Sequence, residues 1–472
     1  MQVNVTKTLG IPLWPAVGEE ASEMVGRVVP KWRQFPISTS ATYLGCCIGP
    51  GKIGQEWQRA APNYWKRIAA WPWATLGLHF ASVVYSTYAA STLAFAGQFA
   101  IPDHDLLKLE AAGLRKAAPG PGAWVTPADL WHLREHYGLA QNFSSIAEAA
   151  QASKLRITFC DNAKEGGLRV KEWHNRLEEC ARCLRFPSRQ LWWQNWRGIA
   201  VPEILWQNWQ SLESQGISGS KILAELVQKS AKTHSLEEAQ EKARCEFQKT
   251  VRMQIRAKDR YSAHYRIRTN LERWRLAGLP RVVADRFAER ISCLNRLAPP
   301  RVAAAVFSTG WNRWCTFRRF QQRSNPLNTC KIGCGGEAED SIEHYCRCRI
   351  MRRFHREELG LDSDWLLPHW LGVQGPPVSV EQHFQGALGA YAAYRITNMA
   401  RHCQGCSEET ARRAFQQALV EGTIGHPRAA SLLRSLRMSR QQAYTADRCT
   451  PPPSTRRRLI TQESHDLDTV RR

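Results

Sequence analysis

Four potential metal ligands lie close together in the sequence and restrict how this part of the chain can fold. Three residues separate Cys330 from Cys334, three separate His344 from Cys348, and nine lie between the two pairs. Zinc prefers four cysteine or histidine ligands in a tetrahedron, so two short pairs of this kind predict a zinc site. Because the protein would fill every coordination position, the predicted site is structural. The alternative is four unrelated thiol and imidazole groups in one loop.

The second ligand pair is predicted to lie on a helix. Asp340 and Glu343 have the spacing of a capping box, with Asp340 as the cap. His344 and Cys348 are then four residues apart on one helical face, whereas Cys346 points away from that face. This argument selects Cys348 over Cys346 as the fourth ligand.

The other cysteines favour a reducing compartment. The chain has 15 cysteines, an odd number without disulfide-like spacing, and residues 1–9 do not form a signal peptide. We therefore expect an intracellular protein, in the nucleus or the cytoplasm. Cys180 with Cys183, and Cys403 with Cys406, form further short pairs without a nearby partner pair. We predict ordinary thiols there, unless the fold brings the two pairs together.

The hydrophobic pattern is mostly helical. Thr126-Pro127-Ala128-Asp129 has the form of a helix start, with Thr126 as the cap. Strand signals are few, so the predicted fold class is mainly α, with a small β element near the N terminus and a short zinc knuckle. The predicted strands are Gly10 to Trp14 and Thr42 to Ile48. Further helices are predicted from Ser235 to about Ala257, Val282 to Leu297, Val380 to His402 and Ser407 to Glu421.

One apolar segment, from Trp73 to Ile101, is long enough to be compared with a membrane span. It is rich in Ser, Thr, Tyr and Ala rather than Leu, Ile and Val, so we expect a helix buried in protein and no membrane association. The predicted buried stripe follows three- and four-residue steps: Tyr85, Tyr88, Thr92, Phe95 and Phe99.

The chain is strongly basic, which favours a polyanionic partner. Its formal net charge is +23, and residues 251–330 hold 17 Lys and Arg against 4 Asp and Glu. At the end of this stretch, rings alternate with arginines. Trp311 and Trp314 are predicted to be core residues of an amphipathic helix, while the arginines are predicted to contact phosphates of RNA or DNA. These arginines are Arg313, Arg318, Arg319 and Arg323.

No complete active site is visible in the sequence. Nucleotidyl transfer requires carboxylates that hold divalent ions, and no Asp-Asp pair occurs in the chain. Phosphate-binding, nucleophile-elbow and zinc-protease motifs do not occur either. We therefore predict no catalytic residues.

Several segments together carry a family resemblance. Residues 2–8 read QVNVTKT, residues 42–49 read TYLGCCIG, and a helix from residue 55 to 71 precedes the apolar segment. With the knuckle at 330–348, these resemble in order the reverse transcriptases of non-LTR (LINE-type) retrotransposons. The matching parts are the motif after the catalytic carboxylates, the motif that grips the primer, the thumb and the Cys-Cys-His-Cys knuckle. The resemblance covers about residues 2–110 and 300–355.

The resemblance implies a polymerase that copies RNA into DNA with magnesium. It would place Lys7 near the incoming triphosphate, and Tyr43, Leu44 and Gly45 near the primer end. The chain begins just after the position of the family's paired aspartates, so we expect a truncated fragment. Magnesium is then expected only in the full-length parent enzyme. The implied division is 1–54, end of the palm; 55–120, thumb-like helices; 121–325, basic helical connector; 326–350, zinc knuckle; 351–448, C-terminal helical region; and 449–472, disordered basic tail.

Three hypotheses follow. The first is a retrotransposon-derived fragment that binds RNA or DNA through its basic helices and knuckle without polymerising. The second is a helical, zinc-stapled protein-interaction module with no nucleic-acid role, whose protein partners the sequence does not identify. The third is an active polymerase whose carboxylates come from an unrecognised sequence or a second chain.

Overall fold

The computed structural model of the protein is mainly α-helical, as the sequence predicts. It describes residues 9–10, 18–38, 40–43, 46–48, 57–160, 172, 175, 201–273, 281–320, 329–335, 338–375, 378–403 and 406–449. The first helices are α1 (Gly18–Val28), α2 (Ala60–Ala70), α3 (Trp73–Val84), α4 (Ser91–Ala94), α5 (His104–Ala117), α6 (Pro127–Trp131), α7 (Leu133–His136) and α8 (Ile146–Cys160).

The later helices carry the basic stretch and the C-terminal region. They are α9 (Val201–Ser214), α10 (Gly219–Ser230), α11 (Leu236–Lys258), α12 (Ala263–Arg273), α13 (Arg281–Cys293), α14 (Pro300–Gly310), α15 (Ile342–Tyr345), α16 (Arg349–Leu359), α17 (Leu367–Trp370), α18 (Val380–His402), α19 (Glu408–Glu421) and α20 (Pro427–Cys449). Short 3-10 turns cover Pro30–Gln34, Ala96–Gln98 and Leu294–Arg296.

The β structure of the described residues is small. Strands β1 (Ala41–Tyr43) and β2 (Cys46–Ile48) pair antiparallel, with Tyr43 opposite Cys46. The single strand predicted from Thr42 to Ile48 is therefore wrong, because the segment forms two paired strands. Of the other predicted strand, Gly10 forms a bridge with Ile37, and residues 11–14 lie outside the described residues.

Several helix starts follow from local capping. Thr126 and Asp129 form the predicted capping box, and Ser235 with Glu238 forms another at the start of α11. Ser379 with Gln382 caps α18 in the same way. Each box satisfies amide groups that the first turn of a helix leaves without partners, so these boundaries are fixed within a few residues of sequence.

A π-helical turn, Tyr85–Ala89, interrupts the apolar segment and changes its buried face. Tyr85 is buried as predicted, but Tyr88 and Phe95 are 50% and 42% exposed, so the predicted stripe is wrong beyond Tyr85. A π-turn adds about one residue to a helical turn, so every later buried position moves by one. The observed stripe is Tyr85, Ala89, Leu93, Ala96 and Ala100. No helix among the described residues is long and apolar enough to cross a membrane.

The aromatic segment after α14 is not the predicted amphipathic helix. The helix ends at Gly310, and Asn312 adopts a left-handed conformation with φ of 51°. Residues 313–316 have no regular structure, and 317–320 form a turn. Trp311 and Trp314 are nevertheless buried, at 2% and 0% exposure, which confirms their prediction as core residues.

Two hydrophobic cores organise the described residues. The larger joins side chains of α2–α7 with those of α12–α20 and includes Cys330 and Tyr345 of the knuckle. The smaller is formed by α8–α11, around Phe159, Leu212 and Phe247. The knuckle is therefore packed into the larger core together with the C-terminal helices.

Candidate metal centre

A tight loop presents the first two ligands. The Cys330 amide donates to the carbonyl of Ala338 at 3.0 Å, and the Gly333 amide donates to the carbonyl of Cys330 at 3.3 Å. Gly333 and Gly335 have φ of 72° and 75°, a conformation that residues with a Cβ rarely adopt. The glycines thus allow the chain to turn sharply around Cys334 and bring both sulfurs to one side.

The second ligand pair lies on two helices rather than one. Ser341, not Asp340, caps α15, because its hydroxyl accepts from the His344 amide at 3.0 Å. That helix ends at Tyr345, and Cys348 is the N-cap residue of the next helix, α16. The prediction of a shared helical face is therefore wrong, although the selection of Cys348 agrees with the cluster that forms.

The four side chains converge on a volume suited to one metal ion. All four ligand atoms of Cys330, Cys334, His344 and Cys348 lie within 4.8 Å of one another. The sulfurs of Cys330 and Cys348 are 4.0 Å apart, and the Cys334 sulfur is 3.6 Å from Nε2 of His344. A zinc tetrahedron with bonds of about 2.3 Å to sulfur and 2.0 Å to nitrogen has sulfur–sulfur edges of about 3.8 Å and sulfur–nitrogen edges of about 3.5 Å. The cluster can therefore hold a metal ion after a small contraction.

The pKa values of the two buried ligand cysteines, Cys330 and Cys348, shift in opposite directions because their sulfurs share one hydrogen bond. The Cys348 thiol and the amides of Ile332 and Cys334 donate toward the Cys330 sulfur and lower its pKa. Burial instead raises the pKa of Cys346, which has no exposed surface. Metal binding requires the thiolate, so Cys330 suits a ligand. The same hydrogen bond raises the pKa of Cys348, so the choice of Cys348 over Cys346 rests on its position in the cluster.

Asp340 connects the centre to the rest of the protein. Its buried carboxylate accepts from the Tyr345 hydroxyl at 2.6 Å, the Phe317 amide at 3.0 Å and Nη2 of Arg401 at 3.0 Å. These groups belong to the knuckle, the segment after α14 and helix α18. The sequence suggested a helix cap here and missed this role, because the partner Arg401 is 61 residues away.

The predicted phosphate-binding arginines that the structure describes make internal contacts. Arg313 donates to the Pro119 carbonyl at 2.9 Å and lies 4.8 Å from the ring centre of Trp124. Arg319 donates to the Pro121 carbonyl at 3.4 Å. Arg318 is half-exposed and lies 3.7 Å from the carboxylate of Glu339.

The remaining predicted contacts fall largely outside the described residues. Lys7, Leu44, Gly45 and Arg323 are not among them, and Tyr43 is described only through its backbone in β1. The Cys180–Cys183 pair is also outside. Cys406 of the Cys403–Cys406 pair lies near the centre, since its carbonyl oxygen is 4.0 Å from where a Cβ on Gly333 would stand. This proximity arises in the fold, and sequence spacing does not reveal it.

Comparison with models of known protein families gives no match. Comparison with curated proteins gives no significant match either.

Proposed function

We propose that this protein is a helical, zinc-stapled nucleic-acid-binding protein derived from the thumb, connector and knuckle of a non-LTR reverse transcriptase. The observation that carries the proposal is the convergence of three thiols and one imidazole within 4.8 Å, in a chain of net charge +23. Three sulfurs and one nitrogen suit Zn²⁺ better than magnesium or calcium, which prefer oxygen ligands.

The zinc has a structural role in this proposal. All four positions are occupied by side chains, so no position remains for a water or a substrate. The ion would hold the loop of residues 330–335 against α15 and the first turn of α16. The ion pair of Asp340 with Arg401 then links the knuckle to α18.

The proposed partner is RNA or DNA. The net charge of +23 supports a polyanion, and residues 251–330 alone contribute about half of the excess. The chain contains no Asp-Asp pair, so we propose that it binds nucleic acid without extending a primer on its own.

Metal content tests the first half of the proposal. We expect one zinc per chain by elemental analysis after dialysis, and much less than one for His344→Ala. His402→Ala is a matched control, because His402 is exposed and lies outside the cluster. Equal zinc in wild type and His344→Ala would refute the site.

Binding to labelled oligonucleotides tests the second half. Affinity should fall steeply as salt increases, because phosphate contacts release counterions. An affinity that does not change with salt concentration, or a lack of binding even at low salt, would contradict the proposal. Primer extension with magnesium should give no product, and an extended primer would show that the chain polymerises. Protein partners that remain bound after nuclease treatment would favour an interaction module instead.

A further inference from the structure

Many arginines of the basic stretch, residues 251–330, make contacts inside the protein. Arg256 bonds to Glu148 at 2.6 Å, and Arg266 bonds to the buried Asp129 at 2.8 Å. Arg301 donates to the carbonyls of Glu421 and Ile424 at 3.1 and 3.2 Å. With Arg313 and Arg319 held by the 119–121 segment, these guanidinium groups serve the fold first. A phosphate-binding surface therefore has to be sought where most of the exposed cations make no such contacts and none is paired with a carboxylate.

Helix α2 and the end of α5 provide such a surface. Its five exposed cations form no ion pair with any carboxylate among the described residues, and residues 57–100 contain no Asp or Glu. Glu110 of α5 is buried at 2% exposure and does not reach this surface. The cations are Arg59, Lys66, Arg67, Arg115 and Lys116.

The geometry of α2 arranges charge between aromatic rings. Tyr64 and Ile68 are buried, so at about 100° per residue Lys66 points directly outward, with Trp65 and Arg67 on its two sides. On one side, the Lys116 ammonium lies 5.5 Å from the Trp65 ring centre. On the other side, Arg67 donates to the Tyr88 carbonyl at 2.6 Å. The outward face of α2 is thus cationic, with the Trp65 ring along one edge and the Tyr88 ring along the other.

The π-turn accounts for the ring on the second edge. Because Tyr85–Ala89 contains an extra residue, Tyr88 faces outward with 50% of its surface exposed. It lies 5.5 Å from Trp71, centre to centre, at the end of α2. Trp65 on the other edge is 39% exposed. Both rings offer surface for stacking.

We propose that this basic-aromatic face, formed by α2, the π-turn and the end of α5, binds single-stranded nucleic acid. This inference rests on the proposed function and names the surface responsible. Unpaired bases stack on exposed aromatic rings while lysine and arginine follow the phosphates, which is the usual pattern of single-strand binding. An anionic lipid surface would favour large aliphatic side chains on the outward face of α2, but Arg59, Asn63 and Lys66 lie there with Pro62 and two alanines.

A charge-neutralising pair of variants tests the phosphate contacts. Lys66→Gln with Lys116→Gln should reduce the log–log salt slope for a 20-nucleotide oligo(U) or oligo(dT) by about 1.4, or about 0.7 per contact. Lys221→Gln with Lys229→Gln is the matched control, since both lysines are exposed on α10 and change the net charge equally. An equal change in both double variants would mean that net charge, not this face, determines binding.

Ring variants test the stacking. Tyr88→Ala and Trp65→Ala should each weaken binding to these oligonucleotides roughly 5- to 100-fold, while Tyr88→Phe binds like wild type. Tyr265→Ala is the control, because Tyr265 is 59% exposed but lies on α12. Thermal midpoints of all variants identify any loss of fold, and Trp65→Ala tests the face independently of the π-turn.

The outcomes separate the two proposals. If wild type binds no nucleic acid, both the proposed function and this inference fail. If wild type binds and the Trp65 and Tyr88 variants bind equally well, this inference alone fails. Tighter binding to a 20-base-pair duplex than to either single strand would overturn the choice of partner. So would binding to phosphatidylserine vesicles that depends on Lys66 and Lys116 and is unaffected by oligonucleotide.

Discussion

Replacing Asp129 by alanine should destabilise the protein more than any exposed acidic substitution. The carboxylate is completely buried and accepts from Nε and Nη2 of Arg266 at 2.9 and 2.8 Å. It also accepts from the Tyr261 hydroxyl at 2.7 Å and from the Thr126 amide at 3.0 Å. It therefore neutralises the Arg266 guanidinium, accepts the hydrogen bond of the Tyr261 hydroxyl and completes the capping box of α6.

The expected loss can be derived from these contacts. Breaking a buried ion pair by removing one partner costs about 3–5 kcal/mol, and Arg266 keeps only partial access to water. We expect about 4 kcal/mol for Asp129→Ala. Asp129→Asn keeps one of the two acceptor oxygens, so it can still accept from either the Tyr261 hydroxyl or the Thr126 amide but not from both, and it loses the charge; we expect about 3 kcal/mol, at the upper end for a hydrogen bond to a charged group.

Urea unfolding followed by circular dichroism measures the loss. Asp285→Ala is the control, because Asp285 is half-exposed and its one ion pair among the described residues is with His264, at 2.9 Å. Exposed pairs contribute at most about 1 kcal/mol. If the free energy of unfolding of Asp129→Ala lies within about 1 kcal/mol of that control, the Asp129 network does not have the stabilising role argued above.

Other measurements test further parts of the structure. Burial lowers the pKa of His355 and His383 to about 4, so their contribution to stability is complete above about pH 6.5 and is lost as pH falls toward 4. For the fully buried His355, this pH-dependent contribution to the free energy of unfolding is about 3 kcal/mol. His355→Leu should therefore make the free energy of unfolding depend less on pH between pH 7 and 4.5. An unchanged dependence would show that His355 is not a source of the pH dependence. Cys346→Ser should retain the full zinc content and Cys348→Ser should lose it, and the reverse result in elemental analysis would reassign the fourth ligand. Gly386→Ala should destabilise by about 3 kcal/mol or more, because its Cβ would stand 1.9 Å from the His369 carbonyl oxygen, and an unchanged thermal midpoint would show that the α17–α18 contact is loose.

The sequence predicts best what depends on neighbouring residues. The capping residues Thr126, Ser235 and Ser379 locate helix starts because their hydrogen bonds span three residues. The ligand set of the metal centre is predictable for the same reason, since a knuckle closes over a short loop. The break between His344 and Cys348 was missed because helical spacing alone does not show that α15 ends after one turn.

Long-range and irregular features could not be predicted in this way. Asp340 meets Arg401, and Asp129 meets Arg266 at a separation of 137 residues, so tertiary packing alone creates these pairs. The Tyr85–Ala89 turn contains no proline or glycine that would signal an irregular helix. Regular periodicity therefore placed Tyr88 inside, whereas the protein places it in contact with water.

The π-turn gives the length of this segment an unusual influence during evolution. Loss of a single codon between Tyr85 and Ala89 would restore an ordinary helical turn, and because the lost residue is the extra one, the residues after it would keep the faces that they have now. Leu93, Ala96 and Ala100 would then stay buried, and only the turn itself, which carries the exposed Tyr88, would change. Selection can thus change this exposed face through insertion and deletion while the core stays the same, and a one-residue gap here in related chains would mark a change in that face rather than a neutral loop variation.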